Sequence, residues 1–169
     1  MEKRIVEKLP RITRNRKRLE KKLNVEIENR GKEVTVTGTP EDEYIAGKVI
    51  EALDFGFPFS DALEIKERGH VFEVLNIKDY TKKKNLERVR GRIIGKGGKT
   101  LKTLTDLTNC SLEIKDNKIG IIGDAENIKN TLDALASLIK GTKQSNVYSY
   151  LEKHRPEEVF DLDLKEGFG

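Results

Sequence analysis

The chain has 169 residues, 36% of them apolar and 37% charged, with a formal net charge of +4 and a single cysteine, Cys110. That length gives one large domain or two small ones, and one cysteine excludes an internal disulfide. No stretch approaches the ~20 apolar residues of a membrane helix and no apolar leader follows Met1-Glu2-Lys3-Arg4, so the sequence predicts neither membrane attachment nor secretion, and a reducing, cytoplasmic setting.

Ile5, Val6 and Leu9 form a short apolar patch that fits an edge strand broken by Pro10, and residues 11–23 read as one basic helix with Leu19 and Leu23 on one side. Val25 and Ile27, a turn at Asn29-Arg30-Gly31, then Val34 and Val36 alternate with polar residues as a hairpin with one buried face does. Gly38 ends it, and Thr39 is the expected cap of a helix carrying Ile45, Val49, Ala52 and Leu53 at helical spacing. Residues 55–69 read as a connector. Phe55-Gly56-Phe57-Pro58-Phe59 carries no Lys or Arg, so packing between two halves is favoured over base stacking, with Ser60-Asp61 capping a short turn through Ala62, Leu63 and Ile65.

The second half opens with a strand over residues 71–77, then a basic helix over residues 81–92 with Leu86, Val89 and Ile93 inward. After Gly95-Lys96-Gly97-Gly98 a second helix carries Leu101, Leu104 and Leu107 and stops at Asn109. Leu112 and Ile114, a turn at Asp116-Asn117, then Ile119 and Ile121 make another hairpin. A long helix with Ile128, Leu132, Leu135 and Ile139 inward runs to Gly141. Residues 143–155 form a last helical stretch with Val147, Tyr148 and Leu151, and the acidic tail over residues 156–169 is expected to be mobile.

An internal repeat is visible. Helix, hairpin, glycine and helix occur twice, Ile27 matching Ile114 and Gly38 matching Gly123, but the first copy lacks the glycine turn. The expected fold is α+β with two modules, over residues 1–54 and 70–155.

Charge is concentrated. Residues 1–23 hold ten Lys or Arg against three Glu, and residues 81–102 hold nine against one, a sum of +15 that leaves −11 for the rest. Two basic segments on an acidic body point to a polyanion, with RNA or DNA as first candidates. The glycine turn lies in the second segment. Its bare backbone admits a ligand closely, the following helix start offers N–H groups and a positive dipole end, and Lys96 and Lys99 add charge. A Walker A loop fails because Ile93 stands where its first glycine belongs, and a dinucleotide fingerprint fails because Thr100 stands at its third. The pattern suits a phosphodiester backbone against Gly95, Gly97 and Gly98, with bases reaching an apolar wall at Ile93 and Ile94.

Catalytic residues are not identified. His70 and His154 are far apart with no metal-ligand spacing, Cys110 has neighbours typical of core packing, and no carboxylate pair stands out. No metal, cofactor or small-molecule substrate is expected. The charged content, with Gln144 as the only glutamine, leans toward a thermophile.

The order strand, helix, Gly-X-X-Gly, helix, strand, strand, helix over residues 70–140 resembles the eukaryotic-type (type I) KH domain, whose loop clamps about four nucleotides of single-stranded nucleic acid. The first half resembles a degenerate KH module without the loop. Nearly the whole chain resembles the archaeal and eukaryotic small-subunit maturation factors of the "partner of Nob" family. The likeness rests on Asn76-Ile77-Lys78-Asp79-Tyr80, Arg90 through Gly95, Ile119 through Gly123, Gly141 through Glu152, Gly56-Phe57 and Asp61-Ala62-Leu63. The resemblance implies a non-catalytic factor that binds single-stranded RNA at the 3′ region of small-subunit rRNA, beside a PIN-domain endonuclease. It also implies site roles. Lys96 and Lys99 neutralise phosphates, helped by Arg90, Arg92 and Lys102. Ile93, Ile94 and Ile114 wall the groove, with Ile93 and Ile114 as readily core, while Lys115 and Lys118 flank the second hairpin. Two alternatives remain at this point: a protein-binding scaffold with vestigial KH modules, and a KH protein acting on other transcripts.

Overall fold

The computed structural model describes residues 1–155; the acidic tail lies outside them. The first half runs β1 (Glu2–Ile5), α1 (Leu9–Thr13), α2 (Arg16–Leu23), β2 (Glu26–Arg30), β3 (Glu33–Thr37), α3 (Pro40–Phe55) and α4 (Phe59–Glu67). The second runs β4 (Val71–Asn76), α5 (Leu86–Ile94), α6 (Lys99–Thr108), β5 (Ser111–Lys115), β6 (Lys118–Gly123), α7 (Ala125–Lys140) and α8 (Gln144–Lys153). Two three-stranded antiparallel sheets result, ordered β1-β3-β2 and β4-β6-β5. In each, the strand after the helix pair turns back through a two-residue loop into the central strand. Gly31 (φ +58°) and Asp116 (φ +54°) supply the left-handed residues those tight loops need.

Most expected elements stand, with four shifts. Pro10 sits in the first turn of α1, where a missing N–H is harmless, rather than ending a strand-like patch. The single basic helix is two, bent at Arg14–Asn15, where Asn15 Nδ2 donates to the Arg11 carbonyl (3.0 Å). The basic helix of the second half begins at Leu86 instead of Thr81, because Asn85 Oδ1 accepts the Arg88 N–H (3.1 Å) and caps it there. Within the stretch read as a connector, α4 is nine residues long and starts at Phe59, ahead of Ser60-Asp61.

Leu75, Leu112, Ile119 and Ile121 turn one face of the second sheet to its own helices. The other face meets the first half. Phe72 and Ile122, paired in register, belong to the core that holds Ile12, Ile50, Leu53 and Phe57. Phe57 is fully buried, with its ring 5.7 Å from Phe72 and 5.9 Å from Phe55. The aromatic stretch therefore packs the two halves together, as the lack of nearby cations implied. Arg11 ties α1 to the same seam through the carbonyls of Leu53 and Phe57 (both 2.7 Å). Lys115 Nζ meets Glu7 Oε2 at 2.8 Å and holds that carboxyl below its ordinary range. Cys110 is core: buried, 3.4 Å from Thr131 Oγ1, its thiol pushed up by burial.

Glu113, also at this seam, has its carboxyl raised by burial and by Asp61, against the pull of Arg11 and Lys8. A raised folded value means that the native state holds this proton more tightly than the unfolded chain. Its contribution is therefore fully present below the unfolded value and is lost as pH rises through the folded one. Glu113→Gln is expected to raise the melting temperature at pH 7 and to leave it nearly unchanged near pH 3.5; thermal melts at both values check this.

Candidate nucleic-acid interface

α5 ends where its backbone leaves the helical region at Gly95 (φ +78°, ψ 170°), a conformation essentially reserved for glycine. Gly97 (φ +62°) and Gly98 (φ +78°) also lie at positive φ, and α6 starts at once with Gly98 giving it no side-chain cap. The three glycines differ. A Cβ on Gly95 would lie 2.1 Å from Thr100 Oγ1, whereas Gly97 and Gly98 have nothing within 4 Å. Gly95 thus serves the packing of the turn, and Gly97, exposed, presents bare backbone to solvent with half-buried Gly98 beside the open positive end of α6. Lys96 and Lys99 are exposed on either side of this backbone, and Lys102 is exposed one turn further along α6.

The turn is held from behind. Gln144 Nε2, at the start of α8, lies 3.2 Å from both the Arg92 carbonyl and Thr100 Oγ1. Arg92 in turn sends its guanidinium to the carbonyls of Leu138 and Thr142, at the end of α7 and just beyond it, where a cation suits the helix dipole. Arg92 is therefore committed to the corner between α7 and α8. Arg90 is committed as well: Nη1 reaches Asn117 Oδ1 (2.7 Å) and the Asp116 carbonyl (3.3 Å), fixing the β5–β6 turn against α5. Ile93 is fully buried and is core, while Ile94 stands 36% exposed beside the glycines. Ile114, on β5, is half-buried. Lys118 is exposed, and Lys115 is drawn to Glu7.

The structure so gathers Gly95, Lys96, Gly97, Gly98, Lys99, Lys102 and Ile94 about one exposed corner and sets Arg90, Arg92 and Ile93 into its support. Sequence reasoning missed Gln144 in this role. Its being the chain's one glutamine was the only available signal, and that pointed to composition alone. Among the described residues no three His, Cys, Asp or Glu side chains are gathered to hold a metal ion, and no helix is long and apolar enough to cross a membrane.

A family model for the eukaryotic-type KH domain (type I), in the form of the second such domain of PNO1, matches residues 71–156. The chain belongs to the PNO1-type KH-domain family. The resemblance seen in the sequence is borne out, and the helix–turn–helix around Gly95–Gly98 lies within that match. Among relatives, a KH domain-containing protein of Methanocaldococcus jannaschii is 30% identical over 147 residues, 83% of this chain and 65% of that protein. The RNA-binding protein PNO1 of Oryzias latipes is 37% identical over 106 residues, 61% of this chain and 44% of that protein. The chain thus spans from 44% to 65% of the length of these two curated relatives. Among solved structures, Dim2p from Pyrococcus horikoshii OT3 superposes with a TM-score of 0.83 at 27% identity, over 90% of this chain and 98% of that one. A crystal structure of an a/eIF2alpha–aDim2p–rRNA complex from the same organism contains a chain that matches with a TM-score of 0.81 at 27% identity, over 90% of this chain and 92% of that one.

Proposed function

We propose that this PNO1-type KH protein is a non-catalytic single-stranded RNA-binding factor that acts in ribosome maturation on the 3′ region of small-subunit rRNA. The carrying observation is the positive-φ backbone at exposed Gly97 and half-buried Gly98, where an added Cβ would meet nothing within 4 Å, between two exposed lysines at a helix start. A phosphodiester can approach there to N–H distance, which a side chain would prevent. Lys96, Lys99 and Lys102 supply the charge. Ile94 and Ile114 offer the bases an aliphatic wall, and Arg90, Arg92 and Gln144 hold the corner's shape. The relatives support the reading: one is named an RNA-binding protein, and the solved complex contains rRNA.

The first half is read as a degenerate KH module. It repeats the strand order of the second, with the Arg14–Asn15 bend in place of the glycine loop. A PIN-domain endonuclease as working partner and a cytoplasmic setting complete the proposal.

Binding of short single strands from the small-subunit rRNA 3′ end, against unrelated RNA, matched DNA and duplex, tests it. The rRNA strand should bind best and the duplex worst; equal binding of duplex and single strand would point instead to unspecific charge attraction. Gln144→Ala removes two neutral hydrogen bonds, worth about 1 kcal/mol each, and is expected to weaken RNA binding by roughly 5- to 10-fold without lowering the melting temperature by more than a few degrees. Fluorescence anisotropy and a thermal melt read the two effects.

A further inference from the structure

β4 lies at the edge of its sheet, so among the described residues no strand pairs with its outer side. Such an edge offers unpaired N–H and C=O groups to another strand. Two hollows of about 280 Å3 each flank it, and they differ in chemistry. One lies between β4 and α7, with Val71, Ala125, Ile128 and Leu132 in its lining. The other lies between β4 and α3 and holds Tyr44, Lys48 and His70. Val71 and Glu73 line both, so the edge of β4 is the ridge between them. Val71 packs on the core of the second half and Phe72 belongs to that of the first, so the hollows open on opposite faces of the sheet. A strand laid against β4 would send alternate side chains into one and then the other.

Residues 156–169 carry that alternation. Phe160, Leu162 and Leu164 are interleaved with Asp161 and Asp163, and the run over residues 159–164 is six residues long, as β4 is. The apolar side suits the α7 hollow, where Asp133 would repel carboxylates. The acidic side suits the α3 hollow, where Lys48 meets Glu51 only at 4.0 Å and keeps a third of its side chain exposed. An added strand would also cover Val74, 41% exposed on β4.

The chain can reach this place. Near the end of α8, Tyr150 donates to Asn130 Oδ1 of α7 (3.2 Å). Lys129, the neighbouring residue of α7, lines the apolar hollow. The width of α7, about 10 Å, is what separates the two. Pro156, Glu157 and Glu158 span about 10 Å when extended. They carry two carboxylates past Lys129, which is exposed and, among the described residues, pairs with no carboxylate. We infer that residues 159–164 of the chain's own tail add to β4 as a fourth strand of the second sheet, with Phe160, Leu162 and Leu164 toward α7 and Asp161 and Asp163 toward Lys48 and His70. Tethering favours this segment over one from another molecule, and its docking closes the edge to pairing with a second copy. RNA plays no part in the contact.

Amide exchange and NOEs in the full chain, without RNA, test this. Amides of residues 159–164 are expected to exchange at least about tenfold more slowly than unprotected ones, with NOEs from Phe160 or Leu162 to the methyls of Ile128 or Leu132. Phe160→Asp/Leu162→Asp, which leaves residues 1–155 intact, should abolish both signals and speed exchange along the outer side of β4. Lys48→Glu should weaken the protection, and Asp161→Lys/Asp163→Lys combined with it should restore it. Unprotected amides over residues 159–164 in the wild type would overturn the proposal, as would protection that survives Phe160→Asp/Leu162→Asp or comes without NOEs to α7. Protection that appears only as the chain dimerises in sedimentation runs would assign the strand to a second copy, and would overturn it as well.

Discussion

Gly97→Asp is expected to weaken binding of a short single-stranded RNA by at least ~30-fold, about 2 kcal/mol, while moving the melting temperature by no more than about 2 °C. The fold tolerates the change for two reasons. No atom lies within 4 Å of the added Cβ, and φ +62° with ψ 22° is a conformation that aspartate adopts: Asp116 already sits at φ +54° in this chain. The binding loss is electrostatic. The carboxylate would stand where a phosphate approaches, and two like charges about 5 Å apart repel by about 1–3 kcal/mol between bulk-water and near-surface dielectric. Gly95→Ala should behave in the opposite way. Its Cβ would meet Thr100 Oγ1 at 2.1 Å in a backbone region closed to alanine, so it should distort the turn and lower the melting temperature. Anisotropy with thermal melts separates the two; Gly97→Asp binding RNA as well as wild type would remove the glycine corner from the interface.

That contrast lay beyond sequence reading, which treats Gly95, Gly97 and Gly98 as one motif. What was legible was local: the alternation at Val34 and Val36, the Thr39 cap (Asp42 N–H donating to Oγ1, 3.2 Å) and the Asn109 stop at φ +59°. Each depends on neighbours within a few residues. The bend at Arg14–Asn15 and the late start of α5 were illegible because both sit in lysine- and arginine-rich runs that fit a continuous helix. The charge count around the glycine turn sums cations without showing what each one meets. Nothing in the sequence shows that Arg92 spends its guanidinium on carbonyls 46 and 50 residues away, or Arg90 on a turn 26 and 27 residues away. A guanidinium is a donor to carbonyls as readily as to phosphates, and only the tertiary fold decides which it meets. The same holds for Lys115, which the sequence places only at the flank of the second hairpin and which is found on Glu7 of the other half.

The seam between the halves should carry the largest stability effect. Phe57→Ala empties a fully buried site between Phe55 and Phe72 and is expected to cost about 3–5 kcal/mol, lowering the melting temperature by about 10 °C. Gly120 tests the same packing from the other side. A Cβ there would lie 2.7 Å from Phe57 Cε2 and 2.8 Å from Phe55 Cε1, so Gly120→Val overpacks the seam at about 1–3 kcal/mol. Combined, the valine enters space that the ring has left. The double variant should therefore be more stable than the sum of the single losses by about 1 kcal/mol or more, as denaturant titrations would measure. Additive losses would mean that the ring and the glycine strand do not share that space. The glycine corner lies on the helical side of the second sheet, away from this seam, so Phe57→Ala should keep wild-type affinity for a short RNA below its own melting temperature. Loss of that affinity in a still-folded variant would show that docking of the first half sets the shape of the corner, through the sheet that both of them pack against.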